Sequence, residues 1–182
     1  MAEAFSNKLT RAAGIVTTSS SGSIGVTTTI ITGISTVGVA VSDLVDNANF
    51  IAGTKVTGYG DAASQVVVDQ TSTNTSALSG TAIVNFLGMT TAYTSAAATK
   101  SILIGGTFAN NTSSSVNLTV EIHDASAGIQ AAIASKIPVP TGSSFVISDA
   151  GKSVLEATDE VRVFCDTANA IDVNLSILTG VS

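Results

Sequence analysis

The chain has 182 residues, a formal net charge of −6 and a pI near 4.4, with 11% charged and 4% aromatic residues, no Trp, one His and one Cys. Nucleic-acid binding is disfavoured, because it rests on Lys and Arg neutralising phosphates and the seven basic residues here are scattered. A single Cys excludes an intramolecular disulfide and a cysteine-based metal cluster, and no run of 18 apolar residues offers a transmembrane helix.

Ordinary soluble domains carry about 25% charge, and charge keeps proteins apart in solution. A chain this poor in charge, with about a quarter of its residues Ser or Thr, suits a subunit that buries much of its surface against copies or neighbours. Met1–Phe5 lacks the basic and apolar regions of a signal peptide, so synthesis in a cytoplasm is the expectation.

In chain order, Ala2–Ala13 reads as a short amphipathic helix carrying Phe5, Leu9 and Ala12, or equally as an extended arm, stopped by Gly14. Thr17–Ser23 (TTSSSGS) reads as a low-complexity linker, so residues 1–23 are assigned to an arm and linker. Strand signals start at Gly25, with Val26, Ile30 and Ile34 on one face between threonines. Val37–Val45 follows, then a polar break at Asp46–Asn49. Further strands are expected near Thr54–Tyr59, Gln65–Asp69 and Thr81–Leu87, with turns at Gly58–Asp61 and a polar stretch at Gln70–Ser79. Residues 24–88 therefore read as one small β-sheet or β-barrel module of four or five strands.

The remainder, 89–182, has strand candidates at 101–109, 116–123, 130–138, 144–148, 160–166 and 170–179. Val116, Leu118, Val120 and Ile122 alternate with polar residues, as do Ile171, Val173, Leu175 and Ile177, which puts one apolar and one polar face on each strand. Pro138 and Pro140 remove ladder donors and place their stretch at a sheet edge or strand end. The alanines of Ala127–Ser135 fit a short helix, while its length and neighbours favour a strand. Regularly spaced strands of this kind read as an antiparallel sandwich or barrel, and the fold class expected is all-β, with a jelly-roll-like antiparallel sandwich.

Three stretches carry a family resemblance: Ser101–Thr119 (strand, Asn/Ser loop, return strand), Ile137–Ile147 (IPVPTGSSFVI) and Asp149–Leu178, a closing hairpin. They resemble small β-sandwich virion proteins of tailed phages, especially those of cyanophages. In that family a short N-terminal stretch like Phe5–Thr10 precedes the sandwich, which would make 24–88 an insertion. The inserted part is similar to another phage module through Phe50–Thr57 (FIAGTKVT). The resemblance implies a structural role on the particle.

Candidate chemistry is sparse. His123-Asp124 after Glu121 lacks an accompanying nucleophile elbow and reads as a polar strand end entering a turn. Cys165 shares parity with Val161 and Val163 and is expected to face inward. Asp43, Asp46, Asn47 and Asn49 are the densest oxygen cluster, read as a solvated loop with a bound cation as the alternative; their spacing does not match an EF-hand. Asp149, Asp159 and Glu160 read as turn carboxylates. The serines around Gly22 and Gly25 lack the Gly-Lys-Ser/Thr of a phosphate loop, and the lack of Trp argues against a sugar-binding face.

The expectation is a non-enzymatic virion structural protein of a tailed bacteriophage, without cofactor, metal, nucleic acid or membrane partner. It would self-associate, with a trimer as first expectation, and dock on major capsid proteins as decoration or on the neck or tail. Strand edges offer docking by β-augmentation, and the N-terminal segment a tether. Phe5 and Leu9 in the arm, and Phe50 and Ile51 before the Gly-Thr turn, are the candidate contact residues. The alternatives are a host-recognition fibre or spike module and a cellular surface-layer or adhesin-like subunit.

Overall fold

The computed structural model describes residues 3–148 and 152–181, and every regular element among them is a β-strand. In chain order they are β1 (Ala4–Ala13), β2 (Ile15–Ile24), β3 (Ile30–Thr32), β4 (Leu44–Asp46), β5 (Val56–Tyr59), β6 (Gln65–Val68), β7 (Leu78–Gly88) and β8 (Thr90–Thr94). Then follow β9 (Lys100–Asn110), β10 (Val116–Asp124), β11 (Ile129–Val139), β12 (Ser144–Ile147), β13 (Ser153–Leu155), β14 (Glu160–Cys165) and β15 (Ile171–Val181). The chain divides into two compact units: Met1–Gly14 with Thr90–Ser182, and Ile15–Met89. The fold is all-β, an antiparallel sandwich with a small β module.

In the sandwich, one sheet runs β1-β15-β9-β12, with β13 also paired to β9, and the other runs β11-β10-β14-β8. The period-two pattern does the work expected of it. Ile171, Val173, Leu175 and Ile177 of β15 are buried, and so are Val116, Leu118 and Val120 of β10 and Val161, Val163 and Cys165 of β14. These side chains meet Leu103, Phe108, Val139, Ile147 and Leu155 in one continuous core. Burying each large apolar side chain contributes about 1.5–3 kcal/mol. Ala127–Ser135 lies largely in β11, an edge strand that also holds Pro138.

The N-terminal segment is a correction. Neither a helix nor a free arm forms; residues Ala4–Ala13 pair antiparallel with β15 from Ala4↔Thr179 to Ala13↔Ile171. A lone helix of this length is marginal in water, whereas β15 pairs with it from Ala4 to Thr10 and again at Ala13. Ala2, the first residue of that expected helix, lies outside the described residues.

The second unit forms a sheet of order β4-β7-β2-β3-β6-β5. An antiparallel bridge between Leu44 and Lys55 joins its two outer strands, so the sheet curls back on itself. Ile24, Ile31, Ile34, Val45, Val56, Val66, Val84 and Phe86 fill the inside. Three further expectations fail here. Thr17–Ser23 is no linker but most of β2, paired with β7 from Ile15↔Gly88 to Ile24↔Leu78. Val26 and Ile30 do not share the buried face of Ile34, because Thr27 at φ 52° turns the chain and Ile31 takes the inward place. Of Val37–Val45, only Leu44 and Val45 lie in a strand, since turns closed by Val39 N–H to Thr36 O and Asp43 N–H to Ala40 O interrupt the rest.

Candidate interaction surface

The outward face of the five-stranded sheet is the largest set of exposed apolar side chains in the sandwich unit. Residues directly paired across antiparallel strands point to the same side, so the register defines its rows. One row runs Phe5 (β1), Leu178 (β15), Ile102 (β9), Val154 (β13), all apolar. The next holds Asn7, Ser176 and Gly105. A third runs Leu9, Asn174, Thr107, Val146. Phe5 is 63% and Leu9 73% exposed, and Val146 and Val154 are exposed as well. None of these residues is charged.

Two shallow grooves cross this face. One, of about 310 Å3, lies between Phe5, Ile104, Gly105 and Val146; the other, of about 320 Å3, lies between Leu9, Thr107, Ala109 and Asn174. Ile104 and Gly105 fall where the β9–β15 register shifts, between Gly105↔Ser176 and Leu103↔Ile177. Beside this bulge Gly105, in the outward row, leaves the floor of the first groove without a side chain.

Charged residues stand at both ends of the face, and the exposed Lys152 directly precedes β13. At one end Lys100 Nζ lies 3.2 Å from Glu156 Oε1. At the other, Arg11 and Asp172 line the second groove. Asp172 Oδ1 accepts hydrogen bonds from the Ala12 backbone N–H at 2.9 Å and from Asn111 Nδ2 at 3.3 Å. A face whose central rows mix apolar with small uncharged polar residues, between charged ends, suits a protein–protein contact.

Of the four contact residues expected from sequence, Phe5 and Leu9 lie on this face. The other two belong to the second unit and separate. Ile51 is 52% exposed, but Phe50 is only 6% exposed and packs in that unit's core, which corrects its reading as a contact. The turn closed by Phe50 N–H to Asn47 O carries the Phe50 ring inward and leaves Ile51 outside. Ile102, Ile104, Val146, Val154 and Leu178 were missed. The signal for the first two was the run Ser101–Gly106 (SILIGG), whose consecutive apolar residues demand two apolar faces.

In the oxygen cluster near Asp43, the Asp43 and Asn47 side chains make local hydrogen bonds. Asp43 Oδ2 accepts from the Ala40 N–H at 2.8 Å, and burial pushes its carboxyl above the ordinary aspartate range while that bond opposes the shift. Asn47 Oδ1 accepts from Asn49 N and Nδ2, closing a local turn. No group of three or more His, Cys, Asp or Glu suited to a metal ion gathers among the described residues.

On the β10–β14 pair, His123 stands opposite Glu160 and Glu121 opposite Arg162. Arg162 Nε donates to Glu160 Oε2 at 2.7 Å, while His123 Nδ1 lies 4.0 Å from the same oxygen. Glu160 is therefore a strand residue in an ion pair and not a turn carboxylate. Asp159 caps a turn, accepting from Glu156 N and Ala125 N. Asp149 lies outside the described residues. Asp124 accepts from the Ala127 N–H and the Ser126 hydroxyl, which hold its carboxyl below the usual range. Cys165 is fully buried, and desolvation, aided by the nearby Asp166 charge, pushes its thiol up to about 11. A thiol so placed is protonated at neutral pH and a poor nucleophile. No family model, curated protein or solved structure matches this chain.

Proposed function

We propose that this chain is a non-enzymatic structural protein of a tailed bacteriophage particle that self-associates and docks on the capsid or on the neck or tail. The observation that carries the docking role is the outer face of the β1-β15-β9-β12 sheet, where Phe5, Leu9, Val146 and Val154 stand in water along rows of uncharged residues. On a protein with 11% charge such a face favours association. The phage setting is supported by the resemblance carried by Ser101–Thr119, Ile137–Ile147 and Asp149–Leu178.

Quantitative mass spectrometry of particles of the encoding phage, separated into heads and tails, tests the reading. Copies on the order of hundreds per head, as closed symmetric shells require, support a decoration protein. A few to a few dozen copies travelling with the neck or tail support a collar or tail subunit. Absence from purified particles overturns the proposal.

A further inference from the structure

We infer that the occupant of the outer β1-β15-β9-β12 face is the same face of a second copy, the two related by a two-fold axis; this deepens the docking role proposed above and rests on it. The first argument is area. Four strands abreast and eleven residues along β9, at about 4.8 Å per strand and about 3.3 Å per residue, give a face of roughly 700 Å2. Two such faces bury roughly 1,400 Å2, inside the range of about 1,200–2,000 Å2 that stable specific interfaces occupy.

Charge supplies the second argument. A face that meets its own copy places every residue against a residue of the same set, so any charge in its centre would confront like charge. The paired residues of the three central rows carry none, and the exposed Lys152, one residue before β13, stands beside them. Each rim holds one cation and one anion, Lys100 with Glu156 and Arg11 with Asp172. Either end of a two-fold copy therefore meets both signs. A partner recognised by charge would instead find nothing to steer it.

A two-fold contact needs no more than this one face. An isologous contact uses a single self-complementary surface, whereas a three-fold ring needs two different patches on each protomer. Two twisted sheets pack face to face about 10 Å apart with strands within about 30°, and side chains from both would fill that gap. Phe5 and Leu9 of one copy would enter the grooves floored by Gly105 and Thr107 of the other.

The test is sedimentation equilibrium and light scattering on the purified full-length chain across a micromolar range, with Phe5→Glu, Val154→Glu and, as a control, Val37→Glu. Val37 is 82% exposed in the second unit, off the face. The wild-type chain and Val37→Glu are expected at twice the 18.1 kDa chain mass. Phe5→Glu and Val154→Glu, with unchanged circular dichroism, are expected to weaken association by about a hundredfold or more, since each copy would bury an unpaired carboxylate against its twin. A wild-type monomer throughout, a trimer mass, or a dimer indifferent to both face variants overturns the inference. These results come from the isolated protein. Its absence from virions would thus sink the phage reading while leaving the dimer standing, and its presence there as a monomer would do the reverse.

Discussion

Gly14, the last residue of the sandwich unit before Ile15, gives the sharpest test of the architecture. Its φ of +122° belongs to a region that side chains do not adopt. A Cβ placed there would lie 2.5 Å from the Thr167 carbonyl oxygen and 3.2 Å from Cys165 Cβ. Neither neighbour is free to give way. Asn169 N–H donates to Gly14 O at 2.9 Å, Ala170 N–H donates to Ala13 O at 3.0 Å, and Cys165 is in the core. Gly14→Ala therefore combines a backbone strain of about 1–3 kcal/mol with an overlap of about 1–3 kcal/mol. Gly128→Ala in the same unit separates the two terms, because Gly128 has φ +66° and open space around it. That change costs only the left-handed conformation, about 1–2 kcal/mol. Scanning calorimetry should show the sandwich transition falling by about 10 °C or more for Gly14→Ala, and by clearly less for Gly128→Ala, at roughly 4–8 °C per kcal/mol in a unit of this size. Equal shifts for the two variants would refute the contact with Thr167, and with it the packing of the β14–β15 connection on the end of β1.

Two more outcomes follow from side-chain placement. Phe50→Ala should destabilise the second unit by about 3–5 kcal/mol in urea unfolding, while Ile51→Ala should stay within about 0.5 kcal/mol; the opposite order would return Phe50 to the surface. Cys165 should resist a thiol reagent at pH 8 in the native protein and react at once in denaturant, because a pKa near 11 leaves almost no thiolate and the core excludes the reagent. Rapid labelling of the folded chain would show that the core around β14 opens.

What was legible in the sequence was the part whose residues decide their own conformation. β15 alternates between apolar and polar residues over Ile171–Ile177 and is buried on its apolar side, while β10 buries Val116, Leu118 and Val120 as its alternation marks but buries Thr119 and Glu121 of its polar set as well. β1 hid because Phe5 and Leu9 stand four apart, a spacing that satisfies both a helix stripe and a strand face. Val26, Ile30 and Ile34 misled through the same spacing, which would share a face only on an unbroken strand. Thr27 at φ 52° and Gly33 at φ 70° break that stretch twice. β2 had no signal of its own. Its TTSSSGS run becomes a strand because β7 supplies the partner, and Gly22 is needed there because a Cβ would come within 2.8 Å of Ile34 Cγ2. The interaction face was half visible. Phe5 and Leu9 could be named as apolar residues, but Leu178, Ile102 and Val154 join them only through cross-strand register, which no single strand contains.

The edges of the sandwich bear on how it would meet a partner, and they point away from the strand addition that sequence suggested. An edge strand invites pairing unless something interrupts it. On the five-stranded sheet, β12 and β13 are four and three residues long, too short for an extended ladder. β1 breaks register between Thr10 and Ala13, with Ala12 at φ 55°. On the other sheet, β11 shifts register twice against β10, carries Lys136 at φ 48° and has Pro138 where a donor would stand. Bulges, short strands and a proline each impede a foreign strand, whereas nothing comparable interrupts the centre of the β1-β15-β9 face: no charge, no proline, only Asn, Ser, Thr and glycine among the apolar side chains. Interruption at the edges and continuity on the face favour one mode of contact. Sheets would stack through side chains, with the backbone ladders of each copy left as they are.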